Sequence, residues 1–258
     1  MPPARRLLPR LGALLLAVAA AAAQAGLPEL IGRVKPSVVA VGTYSATDSP
    51  RFGFRGTGFV VGAGNLMVTN AHVLPDPPAS SAQAAKQLVV VTRPASEPLP
   101  QAATVLAVDK EHDLALLRFD GPSLPALPLA QPKDVREGAA VAFIGFPIGG
   151  ALGFTPVTHR GIISAITAIA PPMPTAQQLN AQAIRRLRQG SFDVYQLDAT
   201  AYPGNSGGPL LDAATGQVVG VVNMVLVKGS KESALSQPTG ISYAIPSKFV
   251  LELLERPR

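Results

Sequence analysis

The chain has 258 residues, of which 47% are hydrophobic, and its formal net charge at pH 7 is +6. It contains no cysteine, which excludes disulfides and leaves the hydrophobic core to hold the fold together. With 24 glycines, 26 prolines and few aromatic residues, the composition favours a turn-rich all-β protein over a helical bundle.

The first 25 residues have the features of an export signal. Arg5, Arg6 and Arg10 precede an apolar stretch, and Ala23-Gln24-Ala25 supplies the small residues of a cleavage site. We predict residues 1–25 as a signal peptide and a periplasmic or secreted location. The alternative is a retained membrane anchor, but the apolar stretch is shorter than the about 20 residues that a span requires. Removal of the three arginines lowers the net charge to +3, so charge gives no reason to expect a nucleic-acid partner.

From residue 26 onward, short apolar runs alternate with glycine and proline, as is typical of an all-β barrel protein. The predicted strands of the first half are 38–43, 58–61, 66–69, 88–92, 104–108 and 114–118. Those of the second half are 140–144, 161–169, 194–197, 218–222 and 241–244. A proline-spaced stretch between the halves predicts a linker at about 121–136.

Two segments have a helical pattern. Thr175 is a candidate N-cap and Gly190 follows the last apolar turn, which predicts an inserted helix at 175–189. This helix either packs across one end of a barrel or acts as a lid. Pro246 begins a C-terminal helix over about 246–255, where apolar residues recur at helical spacing.

The most informative motif is the glycine-rich segment Gly204-Asn205-Ser206-Gly207-Gly208. A serine on a tight turn between glycines places a nucleophilic oxygen beside backbone N–H groups, which is the arrangement that acyl transfer requires. The nucleophile elbow of α/β-hydrolases has a similar pattern, but there the histidine follows the serine. Here His72, His112 and His159 all precede Ser206, which is the order of the chymotrypsin-like triad.

His72 and Asp113 complete the predicted catalytic triad, and each lies at the boundary of a predicted strand. Ser206 is the predicted nucleophile, His72 the general base that accepts its proton, and Asp113 the carboxylate that orients the imidazole. The predicted oxyanion hole is the segment Gly204, Asn205 and Ser206, with the N–H groups of Gly204 and Ser206 as its donors.

The remaining polar candidates have simpler interpretations. Asp109 lies four residues before Asp113 and is the alternative carboxylate. His112 is adjacent to Asp113, so in a strand its side chain would point to the opposite face, and it is predicted to be structural or exposed. His159 is predicted to be an exposed loop histidine. Without cysteine or paired His/carboxylate spacing, no metal and no other cofactor is expected.

Several motifs together resemble those of the HtrA/DegP group of trypsin-like serine proteases, in the same order. They are Thr69-Asn70-Ala71-His72-Val73, Asp113-Leu114-Ala115-Leu116-Leu117, Gly204 through Leu210, and Gly240-Ile241-Ser242-Tyr243-Ala244-Ile245-Pro246. The resemblance spans about residues 29–250 and covers the protease domain, without a PDZ domain. It implies two six-stranded antiparallel β-barrels with the site between them. The expected parts of residues 26–258 are a first barrel (about 29–120), the linker, a second barrel (about 137–245) and the C-terminal helix.

The resemblance also implies serine endopeptidase activity on unfolded or misfolded polypeptides of the cell envelope. In that case Ala201, Val225 and Leu226 line the S1 pocket, and because none of them is charged, we expect aliphatic P1 residues.

Assembly and turnover are left open by the sequence. Relatives often form trimers, so a homotrimer and a monomer are both considered, and Tyr44, Phe52 and Phe54 either serve such an interface or fill the barrel. Two further functions use the same scaffold: a catalytically silent chaperone or binding protein, and an esterase with the same triad.

Overall fold

The computed structural model describes residues 26–75, 86–92, 100–131, 135–149, 154–169, 192–224 and 240–256. The predicted signal peptide, the predicted helix at 175–189 and the S1 candidates Val225 and Leu226 lie outside these residues. Within them, twelve strands form two closed barrels of six antiparallel strands each, which confirms the predicted fold class.

The first barrel is built from the strands of the first half of the chain. They are β1 (Val38–Tyr44), β2 (Phe52–Val61), β3 (Leu66–Asn70), β4 (Gln87–Val91), β5 (Pro100–Asp109) and β6 (Leu114–Phe119), in the spatial order β1-β2-β3-β6-β5-β4. Because successive side chains of a strand point to opposite faces, Val39 and Val41 fill the barrel interior while Val38 and Ala40 pack outside it.

The second barrel contains one strand that the sequence pattern did not predict. Its strands are β7 (Ala140–Gly145), β8 (Val157–Ile169), β9 (Phe192–Asp198), β10 (Pro209–Asp212), β11 (Val218–Asn223) and β12 (Ile241–Pro246), in the order β10-β11-β12-β9-β8-β7. The unpredicted strand is β10, which has only four residues and follows the glycine-rich motif directly.

Two helices close the ends of the described chain. Helix α1 (Leu27–Val34) was not predicted, and it buries Leu30 and Val34. Helix α2 (Ser247–Glu255) confirms the predicted C-terminal helix and buries Phe249, Val250 and Leu253. None of the helices in the described ranges is long and apolar enough to cross a membrane.

A hydrophobic cluster between the barrels brings the two halves together. It combines Val38 and Phe59 from the first barrel with Ile144 and Leu211 from the second, and helix α2 contributes Phe249. The candidate site residues lie in the turns beside this cluster, because His72 follows β3, Asp113 precedes β6 and Ser206 precedes β10. The contact between the barrels therefore decides whether the three side chains meet.

Candidate active site

His72 and Asp113 form a direct pair. His72 lies in a short 3₁₀ turn, Ala71–Val73, and its Nδ1 is 2.6 Å from Oδ2 of Asp113. The other carboxylate oxygen accepts the backbone N–H of His72 at 2.8 Å. With Nδ1 as the donor to the carboxylate, the neutral imidazole has Nε2 free to accept a proton. Both side chains are partly exposed, at 30% for His72 and 24% for Asp113.

The backbone of Asp113 holds the turn that carries His72. Asp113 has a φ of +53°, which an aspartate tolerates better than most residues other than glycine. Its carbonyl oxygen accepts the N–H of Ala71 at 3.0 Å and Nδ2 of Asn70 at 3.0 Å. The loop of Asp113 and the turn of His72 are thus fastened through both backbone and side chain.

Ser206 reaches the same site through the end of β11. Nδ2 of Asn223 donates to Oδ2 of Asp113 at 2.7 Å, and the N–H of the next residue, Met224, donates to Oγ of Ser206 at 3.3 Å. Two consecutive residues thus link the carboxylate and the serine hydroxyl. No hydrogen bond joins His72 to Ser206 within the described part of the chain. Catalytic hydrogen bonds often tighten only when substrate binds.

The turn before Ser206 has the backbone conformation that its glycines allow. Gly204 has a φ of +102° and Gly207 a φ of +85°. A Cβ on Gly204 would collide with the carbonyl oxygen of Phe146, so the position requires glycine for both conformation and space.

Two N–H groups of this turn are available to a ligand. The carbonyl of Pro203 accepts the N–H of Ile148 at 2.8 Å, and the carbonyl of Asn205 accepts the N–H of Gly208 at 2.9 Å. In a trans peptide the N–H points away from the carbonyl, so the N–H groups of Gly204 and Ser206 point away from these contacts. Neither N–H makes a hydrogen bond among the described residues. Free donors of this kind suit an oxyanion.

Asn205 requires a correction to its place in the predicted oxyanion hole. Its N–H already donates to the carbonyl oxygen of Tyr202 at 3.0 Å, so it is not a free donor. Its side chain is fully buried, and Nδ2 lies 3.4 Å from Nε2 of His159. Asn205 therefore contributes to the packing beneath the turn and offers no hydrogen bond at its surface.

The prediction for His159 was wrong. His159 lies within β8 instead of an exposed loop, and its ring stacks on Phe143 with centroids 4.7 Å apart. Burial disfavours the charged imidazolium and lowers the pKa of His159 below its ordinary value. The alternation of side chains along β8 could have placed His159 in the strand, but the predicted strand starts at residue 161, four residues after β8 begins.

His112 and Asp109 form a second, separate pair. Nδ1 of His112 is 3.0 Å from Oδ2 of Asp109, and both side chains are buried. Asp113 contacts His72, whereas Asp109 contacts His112. His112 is structural, which was one of its two predicted interpretations.

The S1 and interface candidates are only partly described. Ala201 is buried, and its N–H donates to Oγ of Ser242 at 2.9 Å. Phe52 and Phe54 pack within their own chain against Phe154, with ring centroids 5.2 and 6.0 Å apart. Tyr44 ends β1 opposite Phe52.

Two contributors to the site were missed by sequence reasoning. The predicted strand 218–222 ends just before Asn223, and the predicted strand 58–61 begins just after Thr57. For Thr57 a signal existed, because it is a polar residue between Gly56 and Gly58 directly before the apolar run Phe59-Val60-Val61. For Asn223 the signal was a polar residue that ends a run of valines.

Comparison with known proteins gives a consistent family. Residues 56–221 match the family of trypsin-like peptidase domains. The chain is 30% identical over 198 residues to a DegP-like periplasmic serine endoprotease of Pseudomonas fluorescens, covering 77% of this chain and 34% of that protein. It is 36% identical over 202 residues to the mitochondrial serine protease HTRA2 of Bos taurus, covering 78% of this chain and 36% of that protein.

Solved structures similar to this chain include HtrA-type proteases. An HtrA-type protease, AlgW with a tripeptide, superposes with a TM-score of 0.61 at 28% identity, covering 89% of this chain and 62% of that chain. The present chain spans about a third of the length of these curated relatives.

Proposed function

We propose, from the premise that this chain belongs to the family of trypsin-like peptidase domains and to its HtrA/DegP group, that it is a serine endopeptidase. The observation that carries the proposal is the arrangement at the barrel interface. Nδ1 of His72 is held by Asp113, and the consecutive residues Asn223 and Met224 contact Asp113 and Ser206. A binding protein has no physical need for this combination of polar groups.

The proposed reaction begins with Ser206. Its Oγ attacks the scissile carbonyl carbon while Nε2 of His72 accepts the hydroxyl proton, and the resulting imidazolium is stabilised by Asp113. The tetrahedral intermediate then collapses, His72 returns the proton to the leaving amine, and an ester to Ser206 remains. A water molecule, deprotonated by His72, then attacks this ester, and His72 returns the proton to Oγ of Ser206 as the second product leaves.

The negative oxygen of the intermediate is assigned to the N–H groups of Gly204 and Ser206. Their availability supports this assignment, since the carbonyls of the two preceding residues are already bound on the other side of each peptide. Removing one donor of an oxyanion hole typically lowers kcat by about 10²–10³-fold. The conformation of the turn is therefore as important as the triad.

The finer parts of the proposal concern substrate and location. We assign polypeptide substrates, in particular unfolded or misfolded chains, and small or medium aliphatic P1 residues beside the uncharged Ala201. Residues 1–25 act as the export signal, which agrees with the periplasmic location in the name of the Pseudomonas relative. The HTRA2 relative is named as mitochondrial, so location requires its own test. A homotrimer is proposed ahead of a monomer.

The experiment compares residues 26–258 with the Ser206→Ala variant on unfolded casein, and mass spectrometry identifies the cut sites. Ser247→Ala is the matched control, because it removes a serine hydroxyl that is buried against the carbonyl of Ala130, in helix α2. Cleavage by the chain and the control, but not by Ser206→Ala, supports the proposal. Cleavage by all three proteins would reveal a contaminating protease.

Two further measurements separate the alternative functions. An active-site phosphonate that labels Ser206 without any peptide cleavage, together with turnover of a small ester, would favour the esterase. Suppression of casein aggregation without labelling or cleavage would favour the silent chaperone. Either result contradicts the endopeptidase.

A further inference from the structure

Thr57, in the middle of β2, is fully buried at the contact between the barrels, and all its polar groups are bonded. Its Oγ1 donates to the carbonyl oxygen of Gly204 at 2.6 Å and accepts the N–H of Phe146 at 3.1 Å. Its N–H donates to the carbonyl oxygen of Ser206 at 2.9 Å. Its own carbonyl accepts Oγ1 of Thr69 at 2.7 Å.

The two carbonyls that Thr57 binds belong to the two residues whose N–H groups have no partner among the described residues. Gly204 and Ser206 each have the carbonyl held by Thr57 and the N–H left open. A single residue of the first barrel thus fixes the backbone of both proposed oxyanion donors, which lie in the second barrel.

We propose that Thr57 is a positioning residue that holds the Gly204–Ser206 turn in the conformation that stabilises the oxyanion. The inference rests on the proposed serine endopeptidase function. It adds that the first barrel controls the oxyanion hole through one residue, which binds Gly204 with its hydroxyl and Ser206 with its N–H, in addition to supplying His72 and Asp113.

The chemistry of the side chain follows from its surroundings. A Cβ on Gly145 would lie 3.0 Å from Oγ1 of Thr57, and a Cβ on Gly207 would collide with the carbonyl oxygen of Thr57. The two glycines therefore leave just enough space for Thr57. Valine has nearly the shape of threonine, but it leaves the carbonyl of Gly204 and the N–H of Phe146 without a partner. A buried carbonyl or N–H without a hydrogen-bond partner costs free energy, so the turn is expected to rearrange until both groups find new partners.

Thr57→Val is expected to weaken stabilisation of the transition state and to leave substrate binding nearly unchanged. Thr57 touches backbone beneath the turn and does not extend to the substrate, so Thr57→Val should leave KM within about twofold. Its kcat should fall by about 10–100-fold, less than the about 10²–10³-fold loss for deleting an oxyanion donor, because the donors are misplaced and not removed. Thr57→Ser, which keeps the hydroxyl, should recover most of kcat.

The test measures kcat and KM on a peptide cut by the wild type, for Thr57→Val, Thr57→Ser and the control Ser247→Ala. A peptide boronate, which forms a tetrahedral adduct with Ser206, is the second readout. Its inhibition constant should weaken in Thr57→Val by the same factor as kcat, since both depend on the oxyanion hole. The folded fraction of each variant is measured by thermal unfolding, and rates are expressed per folded molecule.

The outcomes are distinct. A fall in kcat with parallel loss of boronate affinity, rescued in Thr57→Ser, supports the inference. An active wild type with equal kcat per folded molecule in Thr57→Val overturns it and leaves the proposed function intact. A wild type that neither cleaves peptide nor reacts with the boronate overturns the proposed function, and the positioning role with it.

Discussion

Asp109 and Asp113 lie four residues apart, and each contacts Nδ1 of a histidine, yet the two pairs have different surroundings. Asp109 is 4% exposed and its partner His112 11%, whereas Asp113 and His72 are 24% and 30% exposed. The distances, 3.0 Å in the first pair and 2.6 Å in the second, do not separate a structural pair from a candidate catalytic one.

The buried pair is enclosed by two aromatic rings and an arginine side chain. The ring of His112 stacks on Phe249 with centroids 3.7 Å apart and meets Phe192 edge to face at 4.8 Å. Nη2 of Arg256 donates to Asp109 at 2.6 Å. Burial by itself raises the pKa of Asp109, but the hydrogen bonds from His112 and the charges of His112 and Arg256 hold it far below its ordinary value.

The exposed pair has a neutral third partner, the amide of Asn223, and an open face on the histidine. An imidazole that is to exchange protons with a substrate must be reachable and must keep one nitrogen free. An Asp–His pair therefore suits catalysis when the histidine is reachable from solvent and keeps one ring nitrogen free. It suits a structural role when aromatic rings cover the histidine and an arginine binds the carboxylate.

The largest expected effect is from Asp113→Asn. The amide favours the histidine tautomer that carries its proton on Nε2, so His72 no longer accepts the proton of Ser206. We expect kcat on a cleaved peptide to fall about 10⁴-fold, with the free energy of unfolding changed by less than about 1 kcal/mol because the pair is partly exposed. Steady-state kinetics and urea unfolding measure the two quantities on one preparation. A large loss of stability would show that this pair, too, is structural.

The converse is expected for Asp109→Asn. Removal of the charge leaves the partly exposed Arg256 without its carboxylate and the buried His112 with a poorer partner, so we expect the free energy of unfolding to fall by about 1–3 kcal/mol. The kcat per folded molecule should be unchanged. Loss of kcat in a folded Asp109→Asn protein would contradict the distinction between the pairs.

Acidification gives a further check on the same variant. The lowered pKa of Asp109 means that the folded state binds its proton less readily than the unfolded chain, whose value is near 3.8. Its contribution to stability is present above that pH and is lost as the pH falls through the pKa of the folded state. The difference in unfolding free energy between wild type and Asp109→Asn should therefore shrink below about pH 3.8.

The sequence predicted those features that depend on local pattern. Apolar runs between glycines and prolines predicted eleven strands, and motif order predicted the residues of the candidate site. It missed what depends on distant partners. Arg256 contacts Asp109 across 147 positions, and Thr57 reaches Gly204 across 147 positions as well. The local pattern does not identify either partner, because many polar side chains of suitable length fit the same pattern until the barrels pack together.

The smallest expected effect is from His159→Phe, which tests a histidine that no carboxylate of the described residues contacts. Tyr202 and Asn205 are the described polar groups that face its ring. Phenylalanine retains the stacking on Phe143 and removes only the long contact from Asn205, so kcat should change by less than about threefold.

Because burial lowers the pKa of His159, the unfolded chain binds a proton below about pH 6.5 more readily than the folded state. The wild type should therefore lose stability relative to His159→Phe as the pH falls from 7.5 to 5, measured by urea unfolding. The opposite trend would mean that the imidazolium has an anionic partner, and His159 would then belong with the other two histidines.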